Sequence, residues 1–98
     1  MRVLALDHGS ARCGAAVSDP TGALATPLEV IERPDSRRGI GRVAAAVSER
    51  EVDRVVVGLP LTLAGEEGGQ AAEARAFASR LRERIAPVPV EMWDERLT

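Results

Sequence analysis

The stretch that decides the fold is RVLALDHGSARCGAAVS, residues 2–18. Residues 2–7 form an apolar run that stops at a turn signal, which predicts a strand. Residues 12–18 predict a second strand, and the short polar link between the two runs predicts a β-hairpin. The first strand ends in a carboxylate, Asp7, and Gly9 follows two residues later. The sequence therefore predicts a hairpin that places an acid at the carboxyl end of its first strand.

The segment after the hairpin changes from strand to helix. Residues 24–31 predict a third strand, and Pro27 favours an edge position in the sheet because it lacks an amide donor. Apolar residues then recur at helical spacing, which predicts a helix. Asp35 or Ser36 is the expected N-cap of this helix.

The second half of the chain predicts two further strands around a second helix. Residues 52–58 are β-branched and indicate a parallel strand buried on both faces. A glycine-rich loop leads into an amphipathic helix over residues 74–85, and residues 88–93 predict the last strand. The order β-β-β-α-β-α-β has two right-handed crossovers that place parallel strands beside the first. Because a doubly wound sheet normally has helices on both faces, we expect one domain over residues 1–98 that lacks its C-terminal helices.

The composition narrows the class of protein. The chain has 98 residues, of which 45% are hydrophobic and 29% charged, as expected for one small globular domain. No apolar run is long enough to span a bilayer, and the chain starts in a strand with no signal peptide. The single cysteine, Cys13, cannot form an intramolecular disulfide, which fits the cytoplasm. A net charge of −2 and two aromatic residues argue against a broad electrostatic or base-stacking surface for nucleic acid.

Acidic residues follow both the first and the last predicted strands. Ligands of open α/β sheets bind at the carboxyl edge of the strands. If the last strand is parallel to the first, Asp94 and Glu95 reach the same edge as Asp7. Carboxylates that converge repel one another unless a hard cation such as Mg²⁺ or Mn²⁺ joins them. Such a cluster supports metal-assisted phosphodiester cleavage.

Each of these acids also has a simpler explanation. Asp7 and Gly9 together are common turn chemistry, and Asp94 or Glu95 is a candidate cap for a following helix. Strand alternation sends Asp94 in the direction of Met92 and Glu95 in the opposite one. The spacing leaves open which of the two would bind a metal.

Other residues near these acids are candidates for substrate binding. Gly9 leaves space beside Asp7 for a metal or a phosphate, and Thr62 follows a Gly-Leu-Pro turn as a candidate phosphate donor. Arg96 is equally suited to bind a phosphate or to neutralise the acids. His8 is a candidate metal ligand or proton carrier, with a solvent-facing turn residue as the simpler interpretation.

Four blocks of sequence resemble the YqgF/RuvX family of RNase H-like proteins, which comprises pre-16S rRNA nucleases and Holliday junction resolvases. In order they are LALDHGSARCGAAVSDP, ATPLEVI, GLPLTLAGEEGGQAAEARAFASRL and DERLT. The resemblance implies an α/β fold with a mixed five-stranded sheet whose second strand is antiparallel. It also implies a nuclease that uses Mg²⁺ or Mn²⁺ on structured RNA or branched DNA. By position, Asp7 is the first acid, and the DER block supplies Asp94 and Glu95.

The chain departs from the family pattern in two respects. The family usually has Asn and Asp where this chain has Thr62 and Ala64. Family proteins also continue with helices and a further active-site aspartate, so we expect this chain alone to be weak or inactive. Its uncovered apolar surface should favour a homodimer.

Two other functions share parts of this pattern. The phosphate-binding hairpin of actin and sugar kinases also begins DxGS, so the chain resembles half of such an ATPase. A nucleic-acid-binding module that keeps the fold without its chemistry is the third interpretation. ATP binding and metal binding discriminate these possibilities.

Overall fold

The structure is a computed structural model and describes residues 1–21 and 24–94. The described residues form six strands and two helices: β1 (Val3–His8), β2 (Arg12–Ser18), β3 (Ala25–Pro27), β4 (Ile31–Glu32), α1 (Arg37–Glu49), β5 (Arg54–Leu59), α2 (Gly69–Ile85) and β6 (Val90–Asp94). All six strands belong to one sheet, in the order β3-β2-β1-β5-β6, with β4 also paired to β2. β2 runs antiparallel to β1, whereas β1, β5 and β6 are parallel. The predicted α/β fold, mixed sheet and antiparallel second strand are confirmed.

The third predicted strand differs from the expectation. A single strand over residues 24–31 is wrong, because two short strands, β3 and β4, pair separately with β2. Pro27 is the last residue of β3. Just beyond it, the Leu28 N–H still donates to the Ala15 carbonyl oxygen at 2.9 Å. The expected edge position of Pro27 is confirmed, since β3 is at one end of the strand order.

The core lies on one side of the sheet. Alternate residues of β1 and β5 point to that side and are buried, namely Leu4, Leu6, Val55 and Val57. Both helices pack their apolar faces onto these residues and complete a single hydrophobic cluster. We call this side the covered face. Neither helix is long and apolar enough to cross a membrane.

The other side of the sheet, which we call the open face, carries the intervening residues Ala5, Asp7, Val56, Gly58 and Trp93. Val56 and Gly58 are only partly buried, and the other three residues are exposed. The expectation that β5 is buried on both faces is therefore wrong for the described chain. The physical reason is that both described helices pack on the covered face.

Candidate nuclease site

Asp7 lies near the carboxyl end of β1, at the edge shared with the ends of β5 and β6. In the antiparallel pair it is opposite Gly14. On its other side, Leu6 pairs with Val57, so that Gly58 is the next residue of β5 along the edge. The Asp7 side chain therefore projects from the open face between two positions that have no side chain.

The Asp7 carboxylate is exposed and has no hydrogen-bonding or ionic partner within residues 1–21 and 24–94. It borders a depression of about 140 Å³ whose wall includes Pro60, Gln70 and Glu73. On the open face it also borders a shallow depression that Trp93 lines. A carboxylate in such a position is available to a cation, because no group in the described part of the chain competes for its oxygens.

Asp94 lies on the opposite side of the sheet from Asp7. It pairs with Leu59 at the end of β6. Val90 and Met92 contact the core, whereas Glu91 and Trp93 are exposed. Strand alternation therefore gives Asp94 the direction of Met92, as the sequence predicted.

The remaining predicted acid cannot be placed. Glu95 and Arg96 lie outside the described residues. Within the described part of the chain, no three His, Cys, Asp or Glu side chains come together as metal ligands do. The roles predicted for Asp94, Glu95 and Arg96 stay predictions.

His8 is not a solvent-facing turn residue, and that expectation is wrong. Its side chain is 1% exposed and its Nε2 lies 3.0 Å from a carboxylate oxygen of Asp35. The imidazole ring stacks on Phe77 with the ring centroids 4.7 Å apart. Because Nε2 is already bonded to Asp35, this nitrogen is not available to a metal.

Gly9 closes the β1–β2 hairpin. Its N–H donates to the Arg12 carbonyl oxygen at 3.0 Å. A Cβ at this position would lie 2.8 Å from the same oxygen, a separation that real side chains do not tolerate. The geometry of the hairpin thus explains why residue 9 is a glycine. The predicted role of Gly9 beside a phosphate stays a prediction.

Thr62 helps to order the loop that follows β5. Its N–H donates to the Glu66 carbonyl oxygen at 2.8 Å, and its Oγ1 accepts from the Glu66 N–H at 3.1 Å. In the same loop, the Arg75 Nε and Nη2 donate to the two carboxylate oxygens of Glu67, each at 2.7 Å. These bonds lower the pKa of the Glu67 carboxyl. The hydroxyl of Thr62 keeps its donor hydrogen, so the predicted contact with a phosphate is compatible with this loop.

Cys13 is a core residue and no nucleophile. It is fully buried in the hydrophobic core, and in the sheet it pairs with His8 of β1 and Ile31 of β4. Burial raises the pKa of its thiol to about 12, and the negative charge of Asp7 acts in the same direction. At neutral pH the thiolate is therefore essentially absent.

Comparisons with known proteins identify the family of this chain. The profile of a family described as RuvX, Holliday junction resolvase, matches residues 1–98. The chain belongs to this family. It is 50% identical over 101 residues to the "Putative pre-16S rRNA nuclease" of Rhodococcus erythropolis, covering 99% of this chain and 57% of that protein. The protein of the same name from Thermobifida fusca is 54% identical over 98 residues, covering 97% of this chain and 58% of that protein.

Solved structures support the family fold. Thermus thermophilus RuvC in complex with a Holliday junction substrate matches with a TM-score of 0.63 at 20% identity, over 98% of this chain and 66% of that chain. At this identity the likeness concerns the fold alone, and it confirms the RNase H-like architecture. The chain spans somewhat more than half the length of the curated family members it matches.

Sequence reasoning missed the residues that surround Asp7 in space. The sequence predicts Asp35 only as a candidate helix cap, whereas in the structure Ser36 is the N-cap of α1 and Asp35 binds His8. Gln70 and Glu73, on the first turns of α2, line the same depression as Asp7. These residues are at least 27 positions from His8 or Asp7 along the chain. The periodicities of strands and helices describe only residues that are close in sequence, so they do not predict such contacts.

Proposed function

We propose that this chain carries the first catalytic carboxylate of a metal-dependent nuclease. The observation that supports this proposal best is the Asp7 carboxylate at the carboxyl edge of an RNase H-like sheet, which is exposed and has no partner among residues 1–21 and 24–94. Ligands of open α/β sheets bind at that edge. Membership of a family whose members are named as nucleases supports a catalytic role for this carboxylate.

The donor set favours a hard cation. Asp7 offers carboxylate oxygens, which Mg²⁺ and Mn²⁺ prefer over nitrogen or sulfur ligands. Such an ion supplies Lewis acidity and an activated water for phosphodiester hydrolysis. Asp7 requires a second carboxylate from the end of β6, and strand alternation favours Glu95 because Asp94 follows Met92 to the other face. We therefore propose Asp7 and Glu95 as the principal ligands, with Asp94 the weaker candidate.

The substrate we propose is a structured nucleic acid, with precursor 16S rRNA as the first choice and branched DNA as the second. The names of the relatives favour the RNA, and the family description favours the DNA. Gly9, Thr62 and Arg96 are the proposed contacts to its phosphates. The proposal also includes a cytoplasmic location, a homodimer, and weak or no cleavage by these 98 residues alone.

The first test is metal binding by the 98-residue chain. Mn²⁺ titration, followed by calorimetry and by electron paramagnetic resonance, should reveal one saturable site. Asp7→Asn should weaken it by on the order of 10-fold or more, since a charged ligand is replaced by a neutral one. Asp53→Asn is the matched control, because Asp53 is an exposed carboxylate whose Oδ2 accepts from the Arg2 N–H at 2.7 Å, at the opposite edge of the sheet.

The second test is cleavage of a labelled precursor 16S rRNA fragment and of a four-way DNA junction, with Mn²⁺ and with chelator. Any metal-dependent cleavage should disappear in Asp7→Asn and persist in Asp53→Asn. Cleavage that survives Asp7→Asn contradicts the assignment of Asp7. Tight ATP binding without a Mn²⁺ site would support the kinase-like alternative, and the absence of both would support a binding module.

A further inference from the structure

Asp7 and His8 are successive residues of β1 that project to opposite faces of the sheet. Asp7 emerges on the open face, whereas the His8 side chain is 1% exposed on the covered face. The His8 ring rests on Phe77, a fully buried residue of α2, with an angle of 30° between the ring planes. The backbone that carries Asp7 is therefore held in place from the covered face by the side chain of His8.

A hydrogen bond to Asp35 fixes the orientation of the His8 ring. The His8 Nε2 lies 3.1 and 3.0 Å from the two carboxylate oxygens of Asp35. Because an ionised carboxylate only accepts hydrogen bonds, Nε2 is the donor. The Asp35 backbone carbonyl oxygen in turn accepts a hydrogen bond from the Arg80 guanidinium of α2. Asp35 thus connects the end of β1 with both helices.

The segment around Asp35, residues 33–36, is itself held rigidly, and we call it the brace. The Arg33 N–H donates to the Ala11 carbonyl oxygen at 2.9 Å, which links the brace to the β1–β2 hairpin. The Ser36 hydroxyl donates to the Arg33 carbonyl oxygen at 2.7 Å and accepts from the Gly39 N–H at 3.0 Å. The brace therefore holds the hairpin at two points, Ala11 and His8.

Gly39 shows how tightly the brace is packed on α1. A Cβ at Gly39 would lie 2.7 Å from the Pro34 Cα, so that no side chain fits between helix and brace. Pro34 is one of the largest fully buried residues. A segment held in this manner has little freedom to follow movements of β1, which is the property that a positioning element requires.

A buried histidine that only satisfies its own N–H would account for part of this arrangement. The location of the contact between His8 and Asp35 indicates a second role, which is to position Asp7. The brace contacts the His8 side chain and the Ala11 backbone carbonyl, on both sides of Gly9 and directly after Asp7. A catalytic carboxylate needs its position fixed to within about 0.5 Å, and here the turn after Asp7 is held at two points.

We propose that His8 and Asp35 are positioning residues for Asp7, which hold the β1 terminus so that the Asp7 carboxylate is preset for a divalent cation. The inference rests on the proposed function, because it assigns a cation to Asp7. Neither residue touches the ion. Their bond fixes the backbone that presents the ligand.

The experiment compares substitutions that break or preserve this bond. Asp35→Ala removes the acceptor at a side chain that is 46% exposed, so the fold should survive. Asp35→Asn keeps an acceptor oxygen and is the conservative rescue. His8→Phe keeps a ring against Phe77 and loses the N–H donor. Asp53→Ala is the control, since it removes a comparable tie at the opposite edge of the sheet.

Three quantities are measured for each variant of the 98-residue chain: Mn²⁺ affinity, the melting temperature and hydrogen exchange of the Gly9 amide. Asp35→Ala and His8→Phe should weaken Mn²⁺ binding by on the order of 10-fold, the usual effect of losing a residue that orients a ligand. Both should accelerate exchange of the Gly9 N–H. Asp35→Asn should recover most of the affinity, and Asp53→Ala should change the melting temperature alone.

The outcomes separate this inference from the proposed function. If the unmodified chain has no saturable Mn²⁺ site, the proposed function fails, and the inference fails with it. If it has such a site and Asp35→Ala binds Mn²⁺ as well as Asp53→Ala does, the inference alone is overturned. Unchanged exchange at Gly9 in His8→Phe also overturns it, because the β1 terminus is then held without the bond between His8 and Asp35.

Discussion

The two aromatic residues of this chain occupy opposite sides of the sheet and opposite environments. Phe77 is 0% exposed between α2 and the covered face, where it supports the ring of His8. Trp93 is 48% exposed on the open face, in the row of residues that leads to Asp7. One aromatic residue therefore belongs to the core and the other to the surface that carries the candidate site.

The contrast extends along single strands. In β5, Val57 is fully buried while its neighbour Val56 is only partly buried. An ionised carboxylate is costly to bury unless it is paired. Asp7, which has no partner in the part of the chain that the structure describes, is consequently compatible with the open face and would not be with the covered one. The covered face supplies stability, and the open face supplies the free carboxylate that the proposed function needs.

The largest effect expected from this contrast concerns the aromatic pair. Phe77→Ala should lower the free energy of unfolding by about 3–5 kcal/mol, because it leaves a cavity in the core and removes the support of His8. Trp93→Ala, the matched substitution on the open face, should change it by about 0.5 kcal/mol. Urea denaturation followed by circular dichroism measures both. Equal losses would show that the two faces do not differ in this way.

Val57 and Val56 provide a smaller and more local comparison. Val57→Ala should lower the free energy of unfolding by about 2 kcal/mol, since two buried methyl groups are lost at about 0.8 kcal/mol each with a cavity left behind. Val56→Ala should cost less than half as much. Both residues are in the middle of one strand, so β-propensity cancels in the difference. A larger loss for Val56 would contradict the assignment of the two faces.

The smallest effect is a pH dependence of the free energy of unfolding, which reports how strongly the covered face excludes water from Cys13. The folded state raises the pKa of Cys13 from 9.0 to about 12. Its contribution is therefore fully present below pH 9 and is lost as the pH rises from about 9 towards 12. Between pH 9 and 10.5 the free energy of unfolding should fall by about 1.5 kcal/mol.

This chain suits that measurement because it contains no tyrosine and its 13 basic side chains are all arginine. Cys13 is then the only side chain that titrates between pH 9 and 10.5. Cys13→Ala should be less stable at neutral pH but should lack the loss at alkaline pH. A slope that persists in Cys13→Ala would show that the thiol is not its source.

The sequence by itself determined the features that depend on local period and turn chemistry. The bounds of β2 were predicted to the residue, and the apolar run that stops at a turn signal placed Asp7 near the end of β1. The order of strands and helices followed from the change between periods of 2 and 3.6 residues. The four sequence blocks also indicated the family that the profile match confirms.

Only the tertiary structure decided the features that join distant segments. The pairing of His8 with Asp35 spans 27 positions, and it turned a predicted surface histidine into a buried one. The third predicted strand is divided in two, because β3 pairs with one end of β2 and β4 with the other. The physical reason is the same in both cases. Local patterns fix which way a side chain points, whereas its partner depends on how separate segments pack together.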